Sequence, residues 1–279
     1  MKKITNTLIQ NFREYLLNEE KAAATIEKYI HDVLVFMSWM SGAEVTKMVV
    51  LKYKQELTEK YTPASVNAAL SSLNSFFTFN EWYDCKVKAL KIQKQIFAER
   101  SKELTKAEYE RLLATAKDKK NERLYYLMQT ICASGIRVSE LSAITIEAVK
   151  ARRANINCKG KMRVVILSKD LCKILSEYAK RQKITNGPVF ITKTGKPLDR
   201  SAIWKMMKAL CESAGVDREK VFPHNLRHLF ARTYYSIQKD IVRLADILGH
   251  SSVNTTRIYT METDDIHRRQ IQKLGLLQL

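Results

Sequence analysis

The chain has 279 residues, 46% of them hydrophobic, which suffices for two compact domains or one large one. Lysine and arginine number 48 against 29 aspartates and glutamates, and the net charge of +19 indicates nucleic acid as the first partner, ahead of an anionic membrane surface. An enzyme that happens to be basic is the other interpretation. No apolar run approaches the roughly 18 residues that span a bilayer, and the N-terminus lacks a signal-peptide core, so a cytoplasmic location is predicted.

The five cysteines argue against a disulfide framework and against a structural zinc site. They are odd in number, widely spaced and without a C-x-x-C pair, which is typical of reduced thiols. Only eight glycines and four prolines interrupt the chain, so long helices are expected to dominate.

Four segments in the first 85 positions repeat apolar residues with the period of an α-helix, and Pro63 marks the start of the fourth. Lysines lie between the apolar positions. Each one alone is most simply a solvated side chain, but together they suit a helical bundle lying on a phosphate backbone. Residues 1–85 are therefore predicted to form an N-terminal DNA-binding domain. The apolar stripes are Leu8, Phe12, Tyr15 and Leu16; Ile26, Ile30, Val33, Leu34 and Met37; Met48, Leu51, Tyr53 and Leu57; and Val66, Leu70, Leu73 and Phe77.

Between 86 and 103 the helical period fades and basic residues become dense, which predicts a basic linker that is helical at its start. Thr105 and Glu108 then form a Ser/Thr-x-x-Glu capping box ahead of an apolar run. This signal predicts a second domain over 104–279, ending in a tail helix at 264–279.

The second domain is predicted to combine helices with a small β-sheet. A β-branched run after Gly160 predicts a hairpin with strands at 155–158 and 163–167, and a short strand is expected at 189–191. Helices are expected at 106–117, 121–133, 169–182, 200–214, 225–237, 240–248 and 264–274.

Several basic residues in this domain suit chemistry on a phosphodiester. Transesterification needs a nucleophile, positive charge on the phosphate oxygens, a proton acceptor and a proton donor. Arg137 follows a glycine break with Glu140 three residues on, a pair that alone is most simply a surface ion pair. His224 and Arg227 share one face of a helix start, where an anion is favoured. His228 could form a metal pair with His224, but the glutamate of a zinc protease is absent between them.

Two further residues, His250 and Tyr259, become candidates for a functional role only if these basic residues lie near them. His250 follows Gly249 at a helix end, where a histidine alone is most often structural. Tyr259 alone would most simply be a core aromatic, and its hydroxyl titrates near 10 in water. Nearby cations can lower that value, so basic neighbours would make Tyr259 a candidate nucleophile.

Taken in order, three motifs resemble the signature boxes of the tyrosine recombinases (the phage integrase family), most closely those of the small Xer-type enzymes. The likeness covers the whole chain in layout and is strongest over 105–262. The motifs are Ser134-Gly135-Ile136-Arg137-Val138-Ser139-Glu140-Leu141, Pro223-His224-Asn225-Leu226-Arg227-His228, and Leu248-Gly249-His250-Ser251-Ser252 with Thr255-Thr256-Arg257-Ile258-Tyr259.

The resemblance implies a role for each matching residue. Arg137 and Arg227 would clamp the scissile phosphate. His224 would accept a proton, and His250 would donate a hydrogen bond to the phosphate. Tyr259 would be the nucleophile that forms a 3′-phosphotyrosyl bond. The remaining matched position, a supporting acidic one, is Glu140.

The family also places in a β-hairpin a lysine that protonates the leaving 5′-oxygen. The turn of this chain is one residue shorter than the usual pattern. Alignment on the Lys-Gly pair selects Lys159, the preferred assignment, whereas alignment on the following strand selects Lys161.

The implied fold is mainly α, with a four-helix SAM-like DNA-binding domain and a mixed α/β catalytic domain. The implied activity is site-specific recombination of double-stranded DNA by a tetramer on paired sites, without cofactor or metal. Chromosome dimer resolution and mobile-element integration or excision both fit, as does an accessory recombinase or activator. The tail helix could dock in cis or in trans. Alternative functions are DNA relaxation of the type IB topoisomerase kind and a catalytically silent DNA-binding protein.

Overall fold

The computed structural model describes residues 2–92, 100–158, 161–260 and 272–273. The chain divides into two compact units, Met1–Lys94 and Gln95–Leu279. Helices dominate both, and the named strands of the described residues form one two-stranded sheet. Within those residues no helix combines the length and apolar character needed to cross a membrane.

The first unit contains the four expected helices. They are α1 (Asn6–Asn18), α2 (Ala23–Met40), α3 (Lys47–Lys60) and α4 (Pro63–Phe79), followed by a 3₁₀ turn at Tyr83–Cys85. The threonine before α1, α3 and α4 accepts a hydrogen bond from a backbone amide in the first turn, which satisfies a donor that the helix leaves unpaired.

The apolar stripe predicted for α3 is partly wrong. Met48 and Leu51 are 73% and 40% exposed, whereas Val50 and Tyr53 are buried. Each residue turns a helix by about 100°, so Met48 lies about 200° away from Val50. The buried stripe therefore has a different phase. Leu34 of α2 is also exposed, at 41%.

The segment after α4 is held by side chains of that helix. Asn74 exchanges two hydrogen bonds with the backbone of Val87, and Asn67 does the same with Leu90. Val87 is buried in the first unit. The expected helical start of the linker is wrong for residues 86–92, which carry no helix.

The first α-helix of the second unit begins at the predicted capping box, in which Thr105 and Glu108 exchange hydrogen bonds. The single helix expected at 200–214 is two helices separated at Ala209 and Leu210. Short 3₁₀ helices lie at Arg100–Lys102, Val138–Ala143, Arg218–Lys220 and Arg257–Tyr259. The α-helices are α5 (Lys106–Asp118), α6 (Glu122–Ser134), α7 (Ile146–Ala151), α8 (Lys169–Arg181), α9 (Arg200–Lys208), α10 (Cys211–Ala214), α11 (Pro223–Gln238), α12 (Ile241–Leu248) and α13 (Val253–Thr256).

The predicted hairpin is present. Strands β1 (Arg153–Cys158) and β2 (Lys161–Ile166) pair antiparallel with Ile156 opposite Arg163. The strand expected at 189–191 is wrong: the region makes only isolated bridges, Thr145 to Pro188 and Ile191 to Pro197. The expected tail helix lies outside the described residues, apart from 272–273.

Helix α6 lies at the centre of this unit and packs against α5, α8 and α11. Its residues Leu124, Leu127 and Ile131 are fully buried in the core. Because α6 and α11 are neighbours, the end of α6 lies beside the first turns of α11, and this junction contains the candidate site.

Candidate active site

Six predicted site residues come together in the second unit. Arg137 and Glu140 follow the end of α6, His224 and Arg227 lie in the first turns of α11, His250 follows α12, and Tyr259 ends a 3₁₀ helix. Lys159, the predicted hairpin lysine, lies outside the described residues, and so does the side chain of Lys161.

Arg227 is the buried centre of the cluster, with 1% of its surface exposed. Its guanidinium donates to the Gly135 carbonyl, to the Leu248 carbonyl at 2.7 Å, and to His250 Nε2 at 3.0 Å. Burial and then the charge of Arg137 lower the pKa of Arg227 to about 10, while Tyr259 acts in the opposite direction. Arg227 therefore remains charged at neutral pH.

Arg137 is the more accessible arginine, and Glu140 orients it. Glu140 accepts from the Arg137 backbone amide and side chain, both at 3.0 Å, and from Arg163 Nη2 at 2.6 Å. Burial opposes the charged carboxylate, but the hydrogen bonds from Arg163 and Arg137 outweigh it and hold the pKa of Glu140 below its ordinary value. The Arg137 side chain is 37% exposed and donates to the Gly249 carbonyl at 3.4 Å.

Two glycines permit the close approach of these segments. Gly135 and Gly249 end α6 and α12 in the left-handed conformation, both with φ of 63°. A Cβ at Gly135 would lie 2.5 Å from the Phe230 ring, and one at Gly249 would lie 2.2 Å from Arg163 Cδ. A side chain at either position would therefore displace the neighbouring groups.

His250 is held on both sides of its ring. Nε2 contacts Arg227, and Nδ1 lies 2.9 Å from the hydroxyl of the fully buried Thr256. A guanidinium can only donate, so Nε2 accepts and the proton lies on Nδ1. Burial and then the charges of Arg227 and Arg137 lower the pKa of His250 to about 4.

Tyr259 is 4% exposed and packs with Ala231, Leu244 and Leu248. Its ring meets that of His228 edge to face, with centroids 4.7 Å apart, and stacks beside His250 at 6.1 Å. The tyrosine therefore lies against histidines of its own chain, beside Arg227.

His224 and His228 form the other side of the cluster, with ring centroids 4.5 Å apart. Burial lowers the pKa of His228 to about 3, and its Nε2 atom is buried without a hydrogen-bond partner among the described residues. Desolvation and then the charges of Arg227 and Arg137 lower the pKa of His224, although part of its ring is exposed. At neutral pH these two imidazoles and that of His250 are uncharged and can accept a proton.

The arrangement suits an anion beside a tyrosine hydroxyl. Two arginines supply positive charge, and neutral imidazoles supply hydrogen-bonding and proton-accepting groups. Sequence reasoning did not identify Arg163, His228 and Thr256 as site residues. His228 and Thr256 lie inside the second and third motifs, but their contacts with Tyr259 and His250, like the contact of Arg163 with Glu140, are made by packing that the sequence does not show. No group of three or more potential metal-ligating side chains occurs in the part of the chain that the structure describes.

Comparisons with known proteins identify the family. The phage integrase family profile matches residues 102–265, and the profile of the phage integrase N-terminal SAM-like domain matches 9–83. Tyrosine recombinase XerA of Pyrococcus horikoshii is 29% identical over 283 residues, which cover 99% of this chain and 96% of the relative. The crystal structure of XerA recombinase aligns over 99% of this chain and 100% of that one, at 27% identity and a TM-score of 0.53. XerH site-specific recombinase, solved bound to its difH substrate, aligns over 96% and 85%, at 21% identity and a TM-score of 0.70.

This protein belongs to the phage integrase family, whose profile covers more than half of the chain. The tyrosine recombinases of that family are DNA strand-transferring enzymes. The resemblance inferred from the three motifs is thereby confirmed. The predicted fold class is confirmed as well: a mainly helical protein with a SAM-like N-terminal domain and a catalytic domain that bears a small sheet.

Proposed function

We propose that this protein is a site-specific DNA recombinase in which Tyr259 attacks the scissile phosphate and forms a 3′-phosphotyrosyl intermediate. The observation that carries the proposal is the position of Tyr259, whose ring lies against His228 and His250 and beside the buried Arg227. Membership of the phage integrase family supports the same chemistry.

In this proposal Arg137 and Arg227 bind the non-bridging oxygens of the phosphate. Guanidinium groups match phosphate geometry through paired N–H donors and keep their charge. The partly exposed Arg137 meets the incoming phosphate first. Arg227 binds a second phosphate oxygen after its Nη2 releases the hydrogen bond to His250 and donates to that oxygen instead. Glu140 keeps Arg137 in place.

The proton balance follows from the protonation states of the site. As the bond from Tyr259 Oη to phosphorus forms, the neutral His224 accepts the phenolic proton. As the bond from phosphorus to O5′ breaks, the hairpin lysine, Lys159 or Lys161, donates a proton to the leaving oxygen. The 5′-hydroxyl of a partner strand then attacks the phosphotyrosine and releases Tyr259. The phosphotyrosine conserves the bond energy, so no high-energy cofactor is consumed.

The proposal extends to partners and organisation. The net charge of +19 suits duplex DNA, and XerH was solved with its DNA substrate bound. Residues 1–85 would form the DNA-binding domain, 86–103 the basic linker and 104–279 the catalytic domain. The protein would act in the cytoplasm. Two protomers on each of two sites make a tetramer, with the tail docking in cis or in trans. An accessory activator and a role in dimer resolution or in mobile-element movement are compatible with this chemistry.

The test begins with a duplex sequence selected from a random library by the Tyr259→Phe variant. Two direct repeats of that sequence are placed in one supercoiled plasmid. The proposal predicts two smaller circles with the wild-type protein and none with Tyr259→Phe. Relaxed plasmid of unchanged length would instead identify a type IB topoisomerase activity. Binding without either product, and without a covalent adduct on a nicked duplex, would identify a silent DNA-binding protein.

A further inference from the structure

Arg163 in β2 joins three parts of the catalytic unit. Its Nη2 donates to Glu140 Oε2 at 2.6 Å, and its Nη1 donates to the Ile247 carbonyl at 2.8 Å. Only 13% of its side chain is exposed, and 5% of that of Glu140. A single side chain therefore ties the hairpin to the segment after α6 and to the end of α12.

The position of this guanidinium is fixed by packing as well as by hydrogen bonds. The Arg163 Cδ atom lies where a side chain at Gly249 would begin, since a Cβ there would be 2.2 Å away. Gly249 also precedes His250 and accepts a hydrogen bond from Arg137. Arg163 thus packs against the backbone that carries His250 and accepts a hydrogen bond from Arg137.

Among the described side chains of β2, few can hold the hairpin in place. Side chains alternate between the two faces of a strand. Met162, Val164 and Ile166 are 76%, 52% and 76% exposed, whereas Arg163 and Val165 face inward. Of these described side chains, Arg163 is the inward one nearer to the turn, and on β1 the buried Ile156 lies directly opposite it.

We infer that Arg163 is a positioning residue, which holds the hairpin so that its lysine reaches the leaving O5′ atom. This inference rests on the proposed function. The lysine assigned to that role is four positions away if it is Lys159, or two if it is Lys161. Without the anchor, the general acid loses its position while the phosphate clamp and Tyr259 remain.

A competing route would run through Glu140. If Arg163 served mainly to orient that carboxylate and hence Arg137, its loss would weaken the phosphate clamp instead of the general acid. The first route impairs protonation of the leaving group, whereas the second impairs binding of the phosphate. A substrate whose leaving group needs no proton therefore distinguishes the two routes.

The experiment measures single-turnover cleavage by Arg163→Lys and Arg163→Met on two duplexes of the selected sequence. One has the natural 5′-oxygen at the scissile bond, and the other has sulfur in its place. Attack by Tyr259 on the second duplex breaks a P–S bond, and the thiolate departs without a proton because thiols are far stronger acids than alcohols. We expect both variants to lose about 100-fold or more on oxygen, the typical contribution of general acid catalysis. On sulfur they should cleave at near the wild-type rate.

The ratio of the two rates is insensitive to a misfolded fraction, which lowers both rates equally. Arg137→Lys supplies the matched control, since a weakened clamp slows both duplexes alike. Equal losses for the Arg163 variants on oxygen and sulfur, or no loss on oxygen, would overturn the inference. Failure of the wild-type protein to cleave either duplex, or cleavage of the sulfur duplex by Tyr259→Phe, would instead overturn the proposed function.

Discussion

Arg227 and His250 are joined by a hydrogen bond of 3.0 Å between guanidinium Nη2 and imidazole Nε2. Because the guanidinium can only donate, this bond places the His250 proton on Nδ1, beside the Thr256 hydroxyl. Donation from His250 to a phosphate requires the proton on Nε2 instead. A hydroxyl can both donate and accept, so Thr256 can support either tautomer.

Thr256→Val is predicted to impair that exchange with little change in shape. Nδ1 would lose its buried partner, at a cost of roughly 1–3 kcal/mol, and cleavage should slow correspondingly, by about 5- to 150-fold. The exposed neighbouring Thr255→Val serves as the control. Single-turnover cleavage measures the effect, and ¹⁵N NMR of His250 in free wild-type protein should show the Nδ1–H tautomer. An Nε2–H tautomer in the free protein would contradict the assignment.

Arg227→Lys is expected to damage both stability and catalysis. A lysine ammonium cannot reach the Gly135 carbonyl, the Leu248 carbonyl and His250 with the planar geometry of the guanidinium. Unfolding free energy should fall by about 2–3 kcal/mol, the loss expected for a charged hydrogen bond. Cleavage should fall by about 10²–10³-fold, as for removal of a transition-state donor.

Arg232→Lys on the same helix is the matched control. Arg232 pairs with Glu103 and donates to the Leu104 carbonyl at 2.8 Å, outside the candidate site. Its replacement should lower the denaturation midpoint without lowering the cleavage rate per folded molecule. Equal cleavage rates for the two variants would argue against a catalytic role for Arg227.

The partly buried His228 and His250 predict that acid destabilises the catalytic unit. In the native state the pKa of His228 is about 3 and that of His250 about 4, below the ordinary 6.5. The unfolded chain therefore binds more protons between these values, and the free energy of unfolding falls as the pH falls from about 6.5 toward 3. His228→Phe keeps an aromatic ring beside Tyr259 but removes one titration. Urea unfolding at about pH 7.5 and about pH 5 should show a smaller pH effect for this variant than for the wild type. An unchanged difference would mean that His228 is not neutral and buried in solution.

The hairpin lysine can be identified by the same sulfur chemistry. Lys159→Ala is expected to cleave the oxygen duplex about 100-fold or more slowly and to recover on the sulfur duplex, as loss of a general acid requires. Lys161→Ala acts as its control and should remain active on both. The reverse pattern would transfer the assignment to Lys161. If both variants cleaved the oxygen duplex at the wild-type rate, neither hairpin lysine would be the general acid.

The sequence predicted much of the fold because its signals are local. The four helices of the first unit, the Thr105 capping box and the hairpin each depend on residues within one turn or one repeat of each other. The sequence-based prediction was wrong where tertiary contacts determine the position or the end of a helix. The phase of α3 follows burial of Val50, and the helix break at Ala209 has no glycine or proline to announce it.

The candidate site divides along the same line. The motif residues could be found because they occur in recognisable order along the chain. Arg163 could not, because its partners are 23 and 84 residues away in sequence. Thr256 shows its importance only through the ring of His250, and His228 only through its contact with Tyr259. Such roles depend on packing that no local pattern contains.

The central claim is that Tyr259 is the nucleophile, and covalent trapping tests it most directly. Wild type and Tyr259→Phe are incubated with a nicked duplex of the selected sequence, from which the short fragment that carries the new 5′-hydroxyl diffuses away, and are compared on a denaturing gel. The prediction is a protein–DNA adduct with wild type alone, while both proteins retard the intact duplex equally in a native gel. An adduct with Tyr259→Phe, or none with wild type on a duplex that it binds, would contradict the claim.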